Sequence, residues 1–258
     1  KVVRKNDANL VHMESALENF YWTNRLRLIC EKLNRKQILG NNEFEVFFDE
    51  DLLPYAKLGG DAQLFIHVYK MLRNPDTTIH FTKACQMVLD EEMITEDQNR
   101  KECIEYILNF CIQKVNQGFD NYAKDYLKLI NKLDEKGLLL ENGVLEIHHF
   151  SNSISMATLV GNSNFIEYWL SSKAKYLNPN SAKMLIKFTK ARYLLFTGKR
   201  EKCYEEIRGL YPNGTLYKIV FEKIEIQLAY EEQSFQLLEN KVKNLKQFLK
   251  SNQLISQS

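Results

Sequence analysis

The chain has 258 residues, a formal charge of +2, 45% apolar residues and 12% aromatics. That share of core-forming side chains excludes disorder as the main state, and so small a charge gives no electrostatic footprint for a polyanion partner. Ten glycines and four prolines are too few for an all-β chain, which needs turn residues about every 8–12 positions.

The pattern predicts a first helix over 8–38, with a candidate break near Phe20. Leu26, Ile29, Cys30 and Leu33 give it the three-and-four spacing of one buried face. Gly40-Asn41-Asn42 ends it. In FEVFFDEDLL, residues 44–53, Phe44, Val46 and Phe48 alternate as in a strand, but the run is short and turns helical, so it is read as helix. Sheet is expected at most as one short hairpin near 44–48. Gly59-Gly60-Asp61 opens the next unit, with Asp61 the expected N-cap. A helix over 62–73 is stopped by Asn74-Pro75, because proline disfavours helix in the residue before it. Its partner is expected over 78–91.

From residue 96 one helical face is defined by Cys103, Ile104, Ile107, Phe110, Cys111 and Val115, and Gly118 closes that helix. A return helix over 120–134 turns Tyr122, Tyr126, Leu127 and Ile130 inward. EKGLLLENGVLEI, with two glycines, is a connector. Helices follow at about 147–160, 164–176, 180–197, 200–210, 214–230 and 233–250.

Three of these first helices stop at a glycine, namely Gly118, Gly161 and Gly198. Around each glycine the same positions recur. Seven residues before it stand Cys111, Ile154 and Ala191; five after it stand Ala123, Ile166 and Cys203; nine after it stand Leu127, Leu170 and Ile207. Helices that cross at close range need small residues at the crossing, and glycine supplies the tight turn between them. The middle unit has isoleucine at both crossing positions, so looser packing is expected there. In the last pair Gln233 stands where the glycine would be. Phe235, Leu238, Val242, Leu245 and Leu249 give that helix one apolar stripe, as a terminal repeat requires.

These units resemble the tetratricopeptide repeat, whose G-x-[YF]-x-x-A core joins its two helices. The aromatic two residues after the glycine is replaced by Asp120, Ser163 and Arg200, the first-helix tryptophan is missing, and the period exceeds 34. The stretches TNRLRLICEKLNRKQILG and ILNFCIQKVNQGFDNYAKDYLKLINKLDEKGLLLENG also resemble a group of uncharacterised bacterial helical-repeat proteins, which implies fold only. The resemblance implies an all-α, α-α superhelix of about five or six antiparallel helix pairs. It would form one helical-repeat domain over 1–258, with its clearest units at about 96–136, 147–177 and 180–211 and a capping pair at 214–250.

The function this implies is a non-enzymatic scaffold or adaptor that binds a protein or peptide on its concave face. Transferring the tetratricopeptide groove by position from each glycine names Glu105, Asn116, His148, Ser151, Ser155, Thr158 and Arg192. The competing class is an all-helical enzyme or ligand-binding regulator with a buried pocket.

Other constellations carry less. Glu146-x-His148-His149 invites a metal reading, but adjacent residues on a helix point about 100° apart and zinc helices place histidines at i and i+4. Asp49, Glu50 and Asp51 form one acidic run; magnesium-dependent prenyl-chain chemistry uses two facing runs, and a helix start favoured by its dipole accounts for this one. The phosphate-loop, dinucleotide, nucleophile-elbow and zinc-protease motifs do not occur. No cofactor or metal is expected. KVVRK, KREK at 199–202 and the C-terminal lysines are basic spots diluted by Glu205, Glu206 and Glu239, so a nucleic-acid partner is not expected.

The five cysteines, Cys30, Cys85, Cys103, Cys111 and Cys203, include no C-x-x-C pair. They read as buried free thiols of a reducing compartment, so a cytoplasmic location is expected. No run of 18 apolar residues suggests a membrane span, and no signal peptide is visible in a sequence that starts at Lys1.

Overall fold

The structure is a computed structural model that describes residues 6–39, 48–54, 58–90, 92–212 and 214–251. Among them the chain is all-helical apart from one two-stranded hairpin. No helix of the described residues is long and apolar enough to cross a membrane. The chain divides into two compact units, Lys1–Tyr122 and Ala123–Ser258, which are taken in turn.

The first unit contains α1 (Asn6–Leu39), α2 (Gly60–Arg73), α3 (Thr78–Met87) and α4 (Asp97–Asn116). α1 runs without a break through Phe20. Its Leu26, Ile29, Cys30 and Leu33 are buried, as their spacing requires. α2 packs against α1, α3 and α4. It is therefore apolar on nearly every side, with Leu64, Phe65, Ile66, Val68, Met71 and Leu72 buried. Phe81, Phe110 and Tyr122 close the far side as an aromatic triangle with centroid separations of 5.5–5.7 Å. α3 is shorter than the sequence suggests and ends at Met87. Residues 44–47 of the ambiguous run lie outside the described residues, and Glu50–Leu52 form a 3-10 turn in which the Asp51 N–H donates to the capping carboxylate of Asp49 at 3.1 Å.

Asp61 is not the N-cap of its own helix. Gly59 holds that position, and its N–H donates to Asn19 Oδ1 at 2.8 Å. Asp61 is 5% exposed and faces the start of α4 instead. Its carboxylate accepts from the N–H and hydroxyl of Thr95, the N–H of Glu96 (3.4 Å) and Nδ2 of Asn99 (3.2 Å). The first N–H groups of a helix have no partner within it, and the side chain of Glu96, the residue before α4, makes no capping bond. Asp61 supplies acceptors there from another helix. Gly60 permits the approach, because a Cβ there would meet the carbonyl oxygen of Met93 at 1.7 Å.

The second unit holds most of α5 (Asn121–Glu135), then β1 (Leu140–Glu141), β2 (Val144–Leu145), α6 (Ile147–Leu159), α7 (Ser163–Tyr168), α8 (Pro179–Phe196), α9 (Arg200–Ile207), α10 (Thr215–Glu231) and α11 (Phe235–Ser251). The connector read as irregular carries the hairpin, with Leu140 opposite Leu145 and Glu141 opposite Val144. Asn142 (φ 51°) and Gly143 (φ 80°) make its turn, the backbone a two-residue hairpin loop demands. The single helix expected over 164–176 ends early. After Tyr168 the chain widens into a π turn over Trp169–Lys173 and a 3-10 turn over Ala174–Tyr176. Ser171 Oγ donates to the carbonyls of Glu167 and Tyr168 at 2.7 and 3.2 Å, competing with the helical ladder where it loosens. Trp169 stays buried there beside Phe150 and Phe165.

α8, α9 and α10 enclose a core of Phe188, Ala191, Leu194, Leu195, Cys203, Ile207, Ile224 and Leu228. Ala191 and Cys203, the small crossing residues on either side of Gly198, lie fully buried inside it. Ile154 and Ile166, the corresponding pair on α6 and α7, are also buried. α11 packs on α10 and has no fully buried residue; Leu238, Val242, Leu245 and Leu249 are half-buried, while Phe235 is exposed. Gly118, Gly161 and Gly198 all have left-handed backbone, with φ of 93°, 70° and 72°.

Candidate functional site

In the first unit, α1 and α4 leave a groove of about 620 Å³ between them. Polar residues at 24, 27, 31 and 34 follow a three-four-three spacing, which places Asn24, Arg27, Glu31 and Asn34 along one face of α1. That face flanks the apolar stripe that packs on α2. On α4 the corresponding residues are Glu102, Glu105, Tyr106 and Asn109, and Leu28 completes the lining.

The charges inside the groove are tied to one another. Arg27 donates in bidentate fashion to Glu102, with Nε at 2.6 Å from Oε2 and its second nitrogen on Oε1. Gln98 Nε2 also donates to that carboxylate at 2.9 Å. The hydrogen bond to Glu102 raises the pKa of Arg27, so its charge is fixed. Tyr106 donates its hydroxyl to Glu31 at 2.9 Å. Burial, followed by that bond, pushes the phenol far above its ordinary range, so it remains a donor. Beneath the groove wall the Cys30 thiol is fully buried and its pKa is raised by desolvation, which makes it inert. Asn34 Oδ1 is buried with no hydrogen-bond donor.

The seven residues named from sequence fall in both units. Glu105 is half-buried and lines the groove. Asn116 is exposed at the end of α4, eleven residues or about 16 Å along the axis, and is not part of the groove. In the second unit, His148, Ser151, Ser155 and Thr158 share one face of α6 at three-four-three spacing. His148 is exposed and the other three are half-buried. The hydroxyls of Ser155 and Thr158 donate back to the carbonyls of Ser151 and Ile154, at 2.9 and 2.7 Å, which occupies their donors. Arg192 is exposed on α8. The rings of His148 and adjacent, buried His149 lie 4.3 Å apart by centroid.

The α1 half of the groove was not named from sequence. Its signal was present as the polar three-four-three stripe beside Leu26, Cys30 and Leu33. Finding it required knowing that α1 packs next to a helix about 75 residues away.

Comparison with known proteins finds no match to this chain among family models, curated proteins or solved structures.

Proposed function

We propose that this chain is a non-enzymatic interaction scaffold of tetratricopeptide-like helix pairs, and that the α1–α4 groove of its first unit receives an extended segment of a protein partner. The observation that carries this reading is the groove's chemistry. Asn24, Asn34 and Asn109 offer amides, each able to donate and accept, and these suit the alternating N–H and C=O groups of a peptide backbone. Arg27 is paired with Glu102, and Glu31 accepts from both Tyr106 and Arg35; with Glu105 also in the lining, acidic side chains outnumber basic ones in the groove. The favoured ligand is accordingly an extended segment without acidic side chains.

The test is selection of peptides from a displayed random library against the 258-residue chain. Selected peptides should bind Asn109→Ala/Glu105→Ala at least about tenfold more weakly, or about 1.4 kcal/mol, with no change in helical circular dichroism. Lys202→Ala, in the second unit, should bind as the unaltered chain does. Binding that ignores the groove substitutions would remove this reading.

A further inference from the structure

One face of α1 bears apolar side chains that are half or more exposed. Leu10, Leu17, Tyr21 and Leu28 are 64%, 69%, 50% and 64% exposed. At 100° per residue they fall within about 40° of one another, on the side of α1 opposite buried Leu26, Cys30 and Leu33. Met13 and Phe20, each 67% exposed, widen the stripe along one edge. Residues 9–17 are exposed on every side. A helix of that length without packing is marginal in water, so this segment needs a partner.

We propose that the partner is a second copy of this chain, docked antiparallel along α1 about a two-fold axis beside Asn19. Three observations select that occupant. The first is the spacing. The successive intervals Leu10 to Leu17, Leu17 to Tyr21 and Tyr21 to Leu28 are seven, four and seven residues, the same in both directions. An isologous pair needs such self-complementarity; it sets Leu10 against the second copy's Leu28 and Leu17 against the second copy's Tyr21. The second is charge. Glu14 and Arg25 are both exposed on the other edge of the stripe. Arg25 is held there by Tyr21, whose hydroxyl accepts from it at 3.3 Å. The antiparallel pair brings Glu14 of each copy beside Arg25 of the other, whereas a parallel two-fold pair would set this charged edge against the apolar Met13 and Phe20 edge of the second copy. The third is area. The six apolar side chains leave on the order of 700 Å² per copy and 1,400 Å² per pair, within the range that specific, stable interfaces bury.

Sedimentation equilibrium on the 258-residue chain tests this. The expected species is a dimer of the 30.4 kDa chain, with Leu17→Glu raising its dissociation constant at least about tenfold. Glu14→Arg and Arg25→Glu should each weaken the dimer severalfold, and the double exchange Glu14→Arg/Arg25→Glu should restore it. All these positions are exposed, so helical circular dichroism should fall by no more than the unpacked residues 9–17 account for, which separates weakened association from misfolding. A monomer at concentrations up to on the order of 100 μM would overturn the proposal. So would a dimer indifferent to Leu17→Glu, or a double exchange no tighter than its single variants.

Discussion

Gln233 holds the same backbone position as Gly198. Gly198 (φ 72°) donates its N–H to Leu195 O at 3.0 Å, and the next residue, Lys199, donates to Leu194 O at 2.8 Å. Gln233 (φ 56°) donates to Tyr230 O at 3.0 Å, and Ser234 to Ala229 O at 3.0 Å. Both pairs close a helix with the same left-handed turn. A residue with a Cβ costs about 1–2 kcal/mol in that conformation. Gln233→Gly should therefore stabilise the protein by about 1 kcal/mol, after the entropy that glycine adds to the unfolded chain is subtracted. Gly198→Ala should destabilise it by about the same amount. Urea unfolding checks both, and opposite signs are the expected result.

The crossing of α8 and α9 leaves no room at its two small residues. Ala191 and Cys203 are both 0% exposed and share a core with Phe188, Ile207 and Leu228. Ala191→Leu and Cys203→Leu should each cost about 1–3 kcal/mol by overpacking, and the double variant should depart from additivity because both sites belong to one core. Lys199→Ala and Lys202→Ala are exposed and should shift stability by no more than about 0.5 kcal/mol. Thermal unfolding with leucine tolerated at both positions would contradict the close crossing.

Removal of the Asp61 carboxylate should loosen one helix start in particular. Asp61→Ala leaves the N–H groups of Thr95 and Glu96 without their acceptor and should cost about 2–3 kcal/mol, since hydrogen bonds to a buried charge are strong. Hydrogen exchange should accelerate first at residues 94–100. Uniform acceleration over the whole first unit would argue that Asp61 acts only through general packing.

The protein should lose stability in mild acid through His67 and His80. Their Nδ1 atoms lie 2.9 Å apart, so one ring must donate to the other in its neutral form. Burial, then His80, Lys83 and Lys70, lowers His67 to about 4, and burial followed by Lys70 and Lys83 lowers His80. A folded pKa below the unfolded value of 6.5 means that the unfolded chain takes up protons first. The pair's contribution is thus complete above about pH 6.5 and is lost as pH falls towards about 4. Urea midpoints should fall across that window, and His67→Gln should flatten the decline. An equal decline in both proteins would assign it to carboxylates alone.

Local signals carried most of the helical reading. Apolar spacing located α1, α2, α4 and α8 to within a few residues, and glycine marked the three left-handed stops. The features that were misread depend on side-chain competition or on distant packing. Asn142-Gly143 is a strong turn signal, but strands of two residues have no periodicity to accompany it. The π turn at Trp169–Lys173 keeps Trp169 buried beside Phe150 and Phe165, and apolar spacing does not register such a widening. Asp61 looks like a local cap in sequence; its acceptors are used about 34 residues later because α2 lies against the entry to α4. The groove was half legible for the same reason. Glu105 was reachable by counting from Gly118, whereas Arg27 joins it only through its pairing with Glu102.

The central claim is that a peptide segment binds between α1 and α4, and hydrogen exchange of the chain with and without a selected peptide tests it most directly. Exchange should slow only at residues 24–34 and 102–109, and Asn109→Ala/Glu105→Ala should abolish that footprint. A footprint on α6 or α8 with none on α1 and α4 would contradict the claim.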